Sequence, residues 1–372
     1  MNYFNYDLKF RDYSHLIFTY ISSLKEGRFV GGSQVSEFEC NFANYVESDA
    51  VIGCANGLDA IRLSIRTLKL PANSKIAVSA HTFFATWLAI LEEGHIPVGV
   101  DADINNGQMD LVELLAVLNS HPDIAAVIYV HMHGIAGEIE NISEVCKAKS
   151  IALIEDCAQA HGLRINGKHV GTFGEFGAFS FYPTKNLPAF GDAGSVVTSA
   201  TNEEIVRSFA NYGWHNSDRD KHWKLGLNSR LDSIQAGILS YWIKRLDGYN
   251  KKRILIASMY HEAIQGSKNL KSIGLGRESV WHHFPILTSS RSEFLRFLES
   301  REIPFQIHYK TACHLQPVIR NIPKTAHYKE GDFPHAEKLA NEIVSLPNHP
   351  WMKKAEICKV KAALRDWVAK NG

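Results

Sequence analysis

Apolar runs alternate with helix-like segments from about residue 50 onward. The segments "KIAVSAHTFF", "IPVGVDAD", "AAVIYVHMHG" and "IALIEDCAQAHG" predict buried strands, and "ATWLAILEEG" and "NISEVCKAKS" predict helices between them. In the second of these helices we expect Asn141 at the N-cap, with Glu144 three residues later. Such alternation is typical of an α/β unit with a mostly parallel central sheet flanked by helices.

The pattern changes near residue 229. A long helix-like stretch, interrupted at Gly248, is followed by a predicted strand "SVWHHFPILT", a helix "SRSEFLRFLES", a strand "IPFQIHYK" and a terminal helix from about Ala355. We therefore predict a large domain over residues 1–245 and a smaller α+β domain over residues 246–372.

Composition and charge narrow the class of protein. The 372 residues carry a formal net charge of +1, so no general attraction to nucleic acid or to an anionic membrane is expected. The six cysteines are scattered without a CxxC pair, which disfavours a disulfide framework or a zinc site. The first residues do not resemble a signal peptide, and no apolar run approaches the ~20 residues of a spanning helix. A cytoplasmic protein is predicted.

Polar residues follow the predicted strands at their carboxyl ends, where parallel sheets gather ligands. These residues include Asp101, His131 and Asp156. Asp156 stands beside Glu155, and strand geometry points neighbouring side chains to opposite faces. A buried carboxylate needs a partner. Asp156 is therefore either half of a structural ion pair or a carboxylate placed under a cationic atom of a ligand.

Two further segments suggest chemistry only when they are taken together with Asp156. Asn56-Gly57 joins a strand to a helix, which is either an ordinary capped turn or an anion site of backbone N–H groups. Lys185 follows the apolar run "FSFYP" and precedes "GDAG", with Ser180 five residues before it. An anion site, a buried carboxylate and a lysine match what pyridoxal phosphate needs for its phosphate, ring nitrogen and aldehyde.

With these features in place, the chain resembles the DegT/DnrJ/EryC1/StrS family of sugar aminotransferases over nearly its full length. The resemblance is carried by "GRFVGGSQVSEFE", "ANGLDAI", "HTFFAT", "VHMHG", "IEDCAQAHG", "SFYPTKNLPAFGDAG", "GLNSRLDSIQAGIL", "IHYKTACHLQP" and "SLPNHP". It implies a type I aminotransferase fold with a large domain and a smaller α+β C-terminal domain.

The resemblance also implies the catalytic pair. Lys185 would bind the aldehyde of pyridoxal phosphate and then move the proton in both half-reactions of a ping-pong exchange. Asp156 would pair with the ring nitrogen and keep it protonated. Glutamate would be the amino donor, and a nucleotide-linked keto-sugar would be the acceptor.

Other cofactor contacts follow from the same resemblance. Gln159 would lie near the ring hydroxyl, and Phe83, just after Thr82, would stack on the ring. The backbone of Gly57 and Leu58, together with Ser180, would hold the phosphate.

Asn228 would reach the phosphate of the neighbouring subunit, which implies a homodimer. Two positions depart from the family pattern, namely Leu58 where Thr or Ser is frequent, and Pro188 where Gly is usual. Some relatives carry histidine in place of the lysine and act as dehydratases. Lys185 therefore favours amino transfer.

Two segments, "LNSRLDSIQAGIL" and "FANYGWHNSDRDKHW", resemble the subgroup that aminates C3 of dTDP-linked 3-keto-6-deoxyhexoses, the precursors of Fuc3N or Qui3N. In that subgroup Tyr182, His308 and Tyr309 would contact the hexose or pyrophosphate. Arg28 and Arg230 would contact the nucleotide or the donor carboxylate. Aromatic packing and surface ion pairs are the alternatives for these five residues. C4 amination, either hexose configuration and a UDP carrier stay open.

The sequence also bears on two other classes of protein, a metallohydrolase and a non-catalytic relative of the family. His131 and His133 would share one face of a strand, and together with His282-His283 they suggest a metallohydrolase. No further ligand stands at a recognised spacing, so no metal site is predicted. A non-catalytic relative of the family should have lost Lys185 or Asp156, and both are present.

Overall fold

A computed structural model describes residues 1–215 and 218–371. Its strands, in chain order, are β1 (Ala50–Cys54), β2 (Lys75–Ser79), β3 (Ile96–Val100), β4 (Ile124–Val130), β5 (Ala152–Asp156), β6 (Arg164–Ile165), β7 (Lys168–His169), β8 (Phe176–Ser180), β9 (Gly194–Thr198), β10 (Trp214–His215), β11 (Asp218–His222), β12 (Lys271–Ser272), β13 (Phe284–Leu287) and β14 (Ile343–Leu346).

The helices surround these strands. They are α1 (Phe10–Glu26), α2 (Ser33–Val46), α3 (Gly57–Leu68), α4 (Ala85–Glu92), α5 (Leu111–Ser120), α6 (Ile139–Ala148), α7 (Ala200–Ala210), α8 (Ser233–Ile243), α9 (Leu246–Ile264), α10 (Arg291–Ser300), α11 (Pro317–Asn321), α12 (Pro334–Glu342) and α13 (Lys354–Asn371).

A central sheet of seven strands, counted over the described residues, runs in the order β1-β9-β8-β5-β4-β2-β3. The pairs from β3 to β8 are parallel, and β9 lies antiparallel between β8 and β1. Side chains alternate between two apolar cores, so that Leu153 packs into one and its neighbour Ile154 into the other. The predicted mostly parallel sheet flanked by helices is confirmed.

The chain after α8 forms a smaller unit. Strands β12, β13 and β14 make an antiparallel sheet, and α9, α10 and α13 pack with it around Tyr260, Phe284 and Trp367. The predicted C-terminal α+β domain is present, while the exact boundary at residue 246 stays a prediction. None of the helices in the described part of the chain is long and apolar enough to cross a bilayer.

Three local predictions were wrong. Helix α6 begins at Ile139 with Glu138 at its N-cap, so Asn141 lies inside the first turn. The long helical stretch breaks between α8 and α9, at residues 244–245, and Gly248 lies inside α9. The segment "IPFQIHYK" forms no strand and pairs only through a bridge between Gln306 and Ser345.

Candidate active site

Lys185 lies in the turn that follows β8. Its backbone N–H donates to the carbonyl of Tyr182 (2.8 Å), and the loop is closed by Ala189 N–H, which donates to the carbonyl of Phe181 (2.7 Å). Burial lowers the pKa of Lys185 to about 8, and the negative charge of Asp156 acts in the opposite direction. Near neutral pH a larger share of this amine is therefore neutral, and so nucleophilic, than in an ordinary lysine.

Asp156 ends β5 and is only 6 % exposed. Its Oδ1 accepts from the backbone N–H of Ala158 (3.1 Å), and its Oδ2 accepts from Oγ1 of Thr86 (2.9 Å). Burial raises the pKa of Asp156, whereas these two hydrogen bonds and the charge of Lys185 favour its ionised form. The carboxylate is thus held in a fixed direction, and its charge would suit a protonated ring nitrogen.

Glu155 points to the opposite face, as strand alternation predicts. Its two oxygens accept from Nε2 of His131 (2.8 Å) and from the N–H groups of Gly171 (2.8 Å), Phe173 (2.6 Å) and Gly174 (2.9 Å). These bonds hold the loop after β7 against the sheet. Glu155 is therefore structural, and Asp156 is the carboxylate available to a ligand.

The start of α3 meets the end of β8. Asn56 caps the helix by accepting from the N–H of Asp59 (2.9 Å), as one of the two interpretations of this turn predicts. A Cβ at Gly57 would come within 2.6 Å of Ser180 Cβ, and one at Gly194 within 2.4 Å of the Asn56 carbonyl. Glycine at both positions therefore lets the start of α3 pack closely against the ends of β8 and β9, which brings the first N–H groups of the helix beside Ser180. Leu58, the next helical residue, is half-buried.

Phe83, Gln159 and Tyr309 lie together beside Asp156. The Phe83 ring is 56 % exposed and its centroid is 5.3 Å from that of Tyr309. Gln159 donates through Nε2 to Oη of Tyr309 (3.2 Å) and accepts through Oε1 from the N–H of His133 (2.6 Å). This leaves an open aromatic face next to the buried carboxylate.

Of the predicted sugar contacts, His308 stacks on His283 with ring centroids 3.7 Å apart, and its Nδ1 pairs with Oγ of Ser345 (2.9 Å). Tyr182 is 51 % exposed at the mouth of the lysine turn. The segment "FANYGWHNSDRDKHW" is only partly described, because Asn216 and Ser217 lie outside the described residues.

Arg28 and Arg230 line a separate cavity of about 520 Å³ together with Arg207. Arg230 donates through Nη2 to Oδ1 of Asn228 (2.6 Å). Within the described residues no hydrogen bond or ion pair joins Arg28, Arg230 or Asn228 to Lys185. The structure of one chain therefore does not bring these three residues into the lysine site.

The expectation that His131 and His133 share one strand face was wrong, because β4 ends at Val130. His133 adopts a positive φ of 60° in the following turn and pairs through Nδ1 with His283 (3.3 Å). His131 instead lies near Glu155 and Cys157, with potential ligand atoms within 4.8 Å of one another. The oxygens of Glu155 already accept four hydrogen bonds, and burial raises the pKa of the Cys157 thiol, so these donors suit a structural cluster better than a metal.

Sequence reasoning missed Thr86, which orients Asp156 from the first turn of α4. Its signal was weak: Thr86 stands four residues after Thr82, and the two hydroxyls are 2.9 Å apart. Arg253, which lies close to the lysine turn, was also missed, and His282 was considered only as a metal ligand, because only the tertiary fold brings these two residues there.

The chain matches the DegT/DnrJ/EryC1/StrS aminotransferase family over residues 15–365. It belongs to this family. Two curated relatives are the dTDP-3-amino-3,4,6-trideoxy-alpha-D-glucose transaminase of Streptomyces venezuelae, 34 % identical over 92 % of this chain and 89 % of the relative, and the dTDP-3-amino-3,6-dideoxy-alpha-D-galactopyranose transaminase of Aneurinibacillus thermoaerophilus, 36 % identical over 92 % of both chains. The crystal structure of S. venezuelae DesV is similar with a TM-score of 0.89 and 32 % identity, over 95 % of this chain and 94 % of DesV.

The protein is therefore a transaminase that acts on nucleotide sugars, and its cofactor is pyridoxal phosphate. The site fits that cofactor. The helix N-terminus that packs beside Ser180 suits a phosphate, the buried carboxylate of Asp156 suits a ring nitrogen, and the amine of Lys185 suits an aldehyde.

Substitution of Gly57 by alanine tests the phosphate site. The added methyl group would collide with Ser180, and overpacking of this kind costs about 1–3 kcal/mol. We expect Gly57→Ala to bind pyridoxal phosphate about ten- to a hundredfold more weakly. Titration of the cofactor-free protein by visible absorbance measures this. Gly248→Ala is the matched control, because a Cβ there meets nothing within 4 Å. Equal affinity in both variants would contradict the assignment.

The lowered pKa of Lys185 leads to a second prediction, which concerns the reactivity of this amine in the cofactor-free protein. Burial disfavours the ammonium, so acetylation of Lys185 by acetic anhydride should rise through pH 8 and level off above it. Asp156→Asn should move this rise to lower pH, because the carboxylate stabilises the charged amine. Mass spectrometry of labelled peptides across the pH range measures both, with the exposed Lys147 as internal reference. Labelling of Lys185 that still rises above about pH 10, as for an ordinary lysine, would contradict the prediction.

Proposed function

We propose that this transaminase moves an amino group from glutamate to C3 of a dTDP-linked 3-keto-6-deoxyhexose, a precursor of Fuc3N or Qui3N type used for surface polysaccharides or glycosides. The observation that carries the amino transfer is the placement of Lys185, with its lowered pKa, within electrostatic range of the buried carboxylate of Asp156. The choice of C3 and of dTDP is supported by the names of the two curated relatives.

Lys185 and Asp156 have different roles in the proposed reaction. Bound pyridoxal phosphate supplies a ring that accepts the electron pair of the donor carbon when its proton leaves. Nζ of Lys185 accepts that proton and returns it, a task suited to an amine with a pKa of about 8. Asp156 holds a proton on the ring nitrogen through charge, and Thr86 fixes the direction of the carboxylate. Phe83 and Gln159 orient the ring.

The sugar is assigned to the open side of the site. Tyr182 and Phe83 are both more than half exposed, and Tyr309 lies between Phe83 and Gln159. Aromatic faces of this kind pack against the apolar face of a hexose, and phenol groups hydrogen-bond its hydroxyls. We assign His308 and Tyr309 to the hexose or pyrophosphate, and Arg28 and Arg230 to the nucleotide.

A second copy of this chain is the proposed partner, and helix α1 supports it. The helix buries Asp12, Thr19 and Ser23 and leaves an apolar stripe at helical spacing in solvent. The stripe consists of Phe10, Tyr13, Ile17, Tyr20, Ile21 and Leu24. An apolar surface of this extent marks an interface. It continues into the exposed Phe29 and Val30, beside the cavity of Arg28 and Arg230. In this homodimer we assign Asn228 to the phosphate of the neighbouring subunit, as the family resemblance implies.

Substitution of a charged residue into the apolar stripe of α1 tests the proposed homodimer. Ile17→Glu should convert an assembly of at least two 41.7 kDa chains into monomers, because the interface would bury an unpaired carboxylate. Size-exclusion chromatography with light scattering measures the mass. Val112→Glu is the control, since Val112 is an exposed apolar residue on α5. A monomeric wild-type protein, or equal masses for both variants, would argue against the dimer.

The proposed function is tested by the visible absorbance of the protein and by identification of the reaction product. The purified protein should absorb visible light as a cofactor complex, Lys185→Ala should lose that band and the activity, and Lys147→Ala should keep both. Incubation with glutamate and a panel of dTDP- and UDP-linked 3-keto and 4-keto sugars, followed by NMR, should locate the new amine at C3 of a dTDP sugar. Amination at C4, or only of UDP sugars, would replace the substrate named here while leaving the transaminase intact.

A further inference from the structure

A cavity of about 300 Å³ lies between the lysine turn and the C-terminal unit. Thr184, the residue before Lys185, forms one wall, and His282, His283 and His308 form another. The N-terminal segment closes it through Tyr3. Among the described residues that line this cavity, none carries a carboxyl group.

Arg253 of α9 lines the same cavity and is only 2 % exposed. Its Nη1 donates to the carbonyls of His282 (3.1 Å) and Asn348, and its Nε has no partner. No carboxylate in the described part of the chain lies within ion-pair distance of the guanidinium. A buried cation without a counter-charge is costly, so the fold keeps Arg253 at a free-energy penalty that an anion would offset.

The histidines around Arg253 add no positive charge to the cavity. Burial and the nearby cations Lys185 and Arg253 lower the pKa of His282, and burial with the charge of Lys185 lowers that of His308 to about 3. Both rings are neutral at physiological pH and can donate one N–H. His282 uses Nδ1 toward Oδ1 of Asn186 (3.1 Å). The cavity therefore combines one fixed positive charge with neutral polar walls.

We propose that this cavity is the subsite for a carboxylate of the amino donor, with Arg253 as its cationic partner. The inference rests on the proposed function. A cavity of 300 Å³ is at the small end of ligand sites, which suits a five-carbon dicarboxylate and is too small for a whole nucleotide-linked hexose. Because Thr184, the residue before Lys185, lines the same cavity as Arg253, a donor whose carboxylate binds at Arg253 would have its amino group on the side of the Lys185 turn.

This assignment separates the roles of the arginines. Arg28 and Arg230 face another cavity of about 520 Å³, whose size suits the larger nucleotide. The third arginine of that cavity, Arg207, is paired with Glu39. Arg253 then serves the donor half-reaction and leaves the sugar half-reaction unaffected, which gives the proposal a kinetic signature.

Glutarate, which has the length of glutamate but neither amino nor keto group, tests the subsite. Wild-type holoenzyme should bind glutarate by calorimetry, in competition with glutamate and not with dTDP. Arg253→Met should raise the glutarate Kd and the KM for glutamate by about tenfold or more, and Arg253→Lys by less, with the KM for the nucleotide sugar unchanged. Arg291→Met is the control, because Arg291 also donates to a backbone carbonyl, that of Ala340, and does not line the cavity.

The outcomes are distinct. A glutarate Kd that is the same in wild type, Arg253→Lys and Arg253→Met overturns the subsite. If Arg253→Met does not fold, Arg253→Lys and the wild-type competition decide, and glutarate that competes with dTDP instead of glutamate also overturns it. A protein with the visible cofactor band that binds no glutarate overturns this inference alone. A protein that binds no pyridoxal phosphate overturns the proposed function as well.

Discussion

The carboxyl end of β5 is the constraint on which the site depends. Two neighbouring carboxylates must point to opposite faces of a strand, and each face gives its carboxylate a different task. Glu155 is satisfied by His131 and three backbone N–H groups, which fixes the loop over residues 171–174. Asp156, held by Thr86 and Ala158, is left to face the ligand side. Strand β5 thus supplies both Glu155, which holds the neighbouring loop in place, and Asp156, whose charge faces the ligand.

The charges near Asp156 determine what the site can bind. Burial shifts Asp156 and Lys185 in opposite directions, raising one pKa and lowering the other, while each charge stabilises the other. Arg253 adds a further buried positive charge, with no acid beside it among the described residues. The ligands of a nucleotide-sugar transaminase are anionic at the cofactor phosphate, the donor carboxylates and the pyrophosphate. A local excess of positive charge suits them, although the whole chain carries a net charge of only +1.

Local sequence predicted the parts of the site that depend on one short segment. The Asn56-Gly57 turn, Asp156 at a strand end and Lys185 after an apolar run are of this kind, and their setting in the fold agrees with the expectation. Arg253 could not be predicted, because its partners lie 29 and 95 residues away in sequence. The break predicted at Gly248 failed for a related reason: a glycine inside a helix costs only about 1 kcal/mol, which the tertiary packing of α9 outweighs.

Helix α1 shows how packing can reverse the usual arrangement of a surface helix. The three residues that it buries are all polar, and one of them, Asp12, accepts a hydrogen bond from the Tyr241 hydroxyl (2.5 Å) in α8. Its apolar stripe faces outward, so a single chain leaves this surface in water at a cost in free energy. The chain after α1 leads directly to Arg28, whose carbonyl accepts from Oγ of Ser233 (2.8 Å). If a second copy covers the stripe, as we propose, that interface would also lie beside the segment that carries Arg28, the residue we assign to the nucleotide.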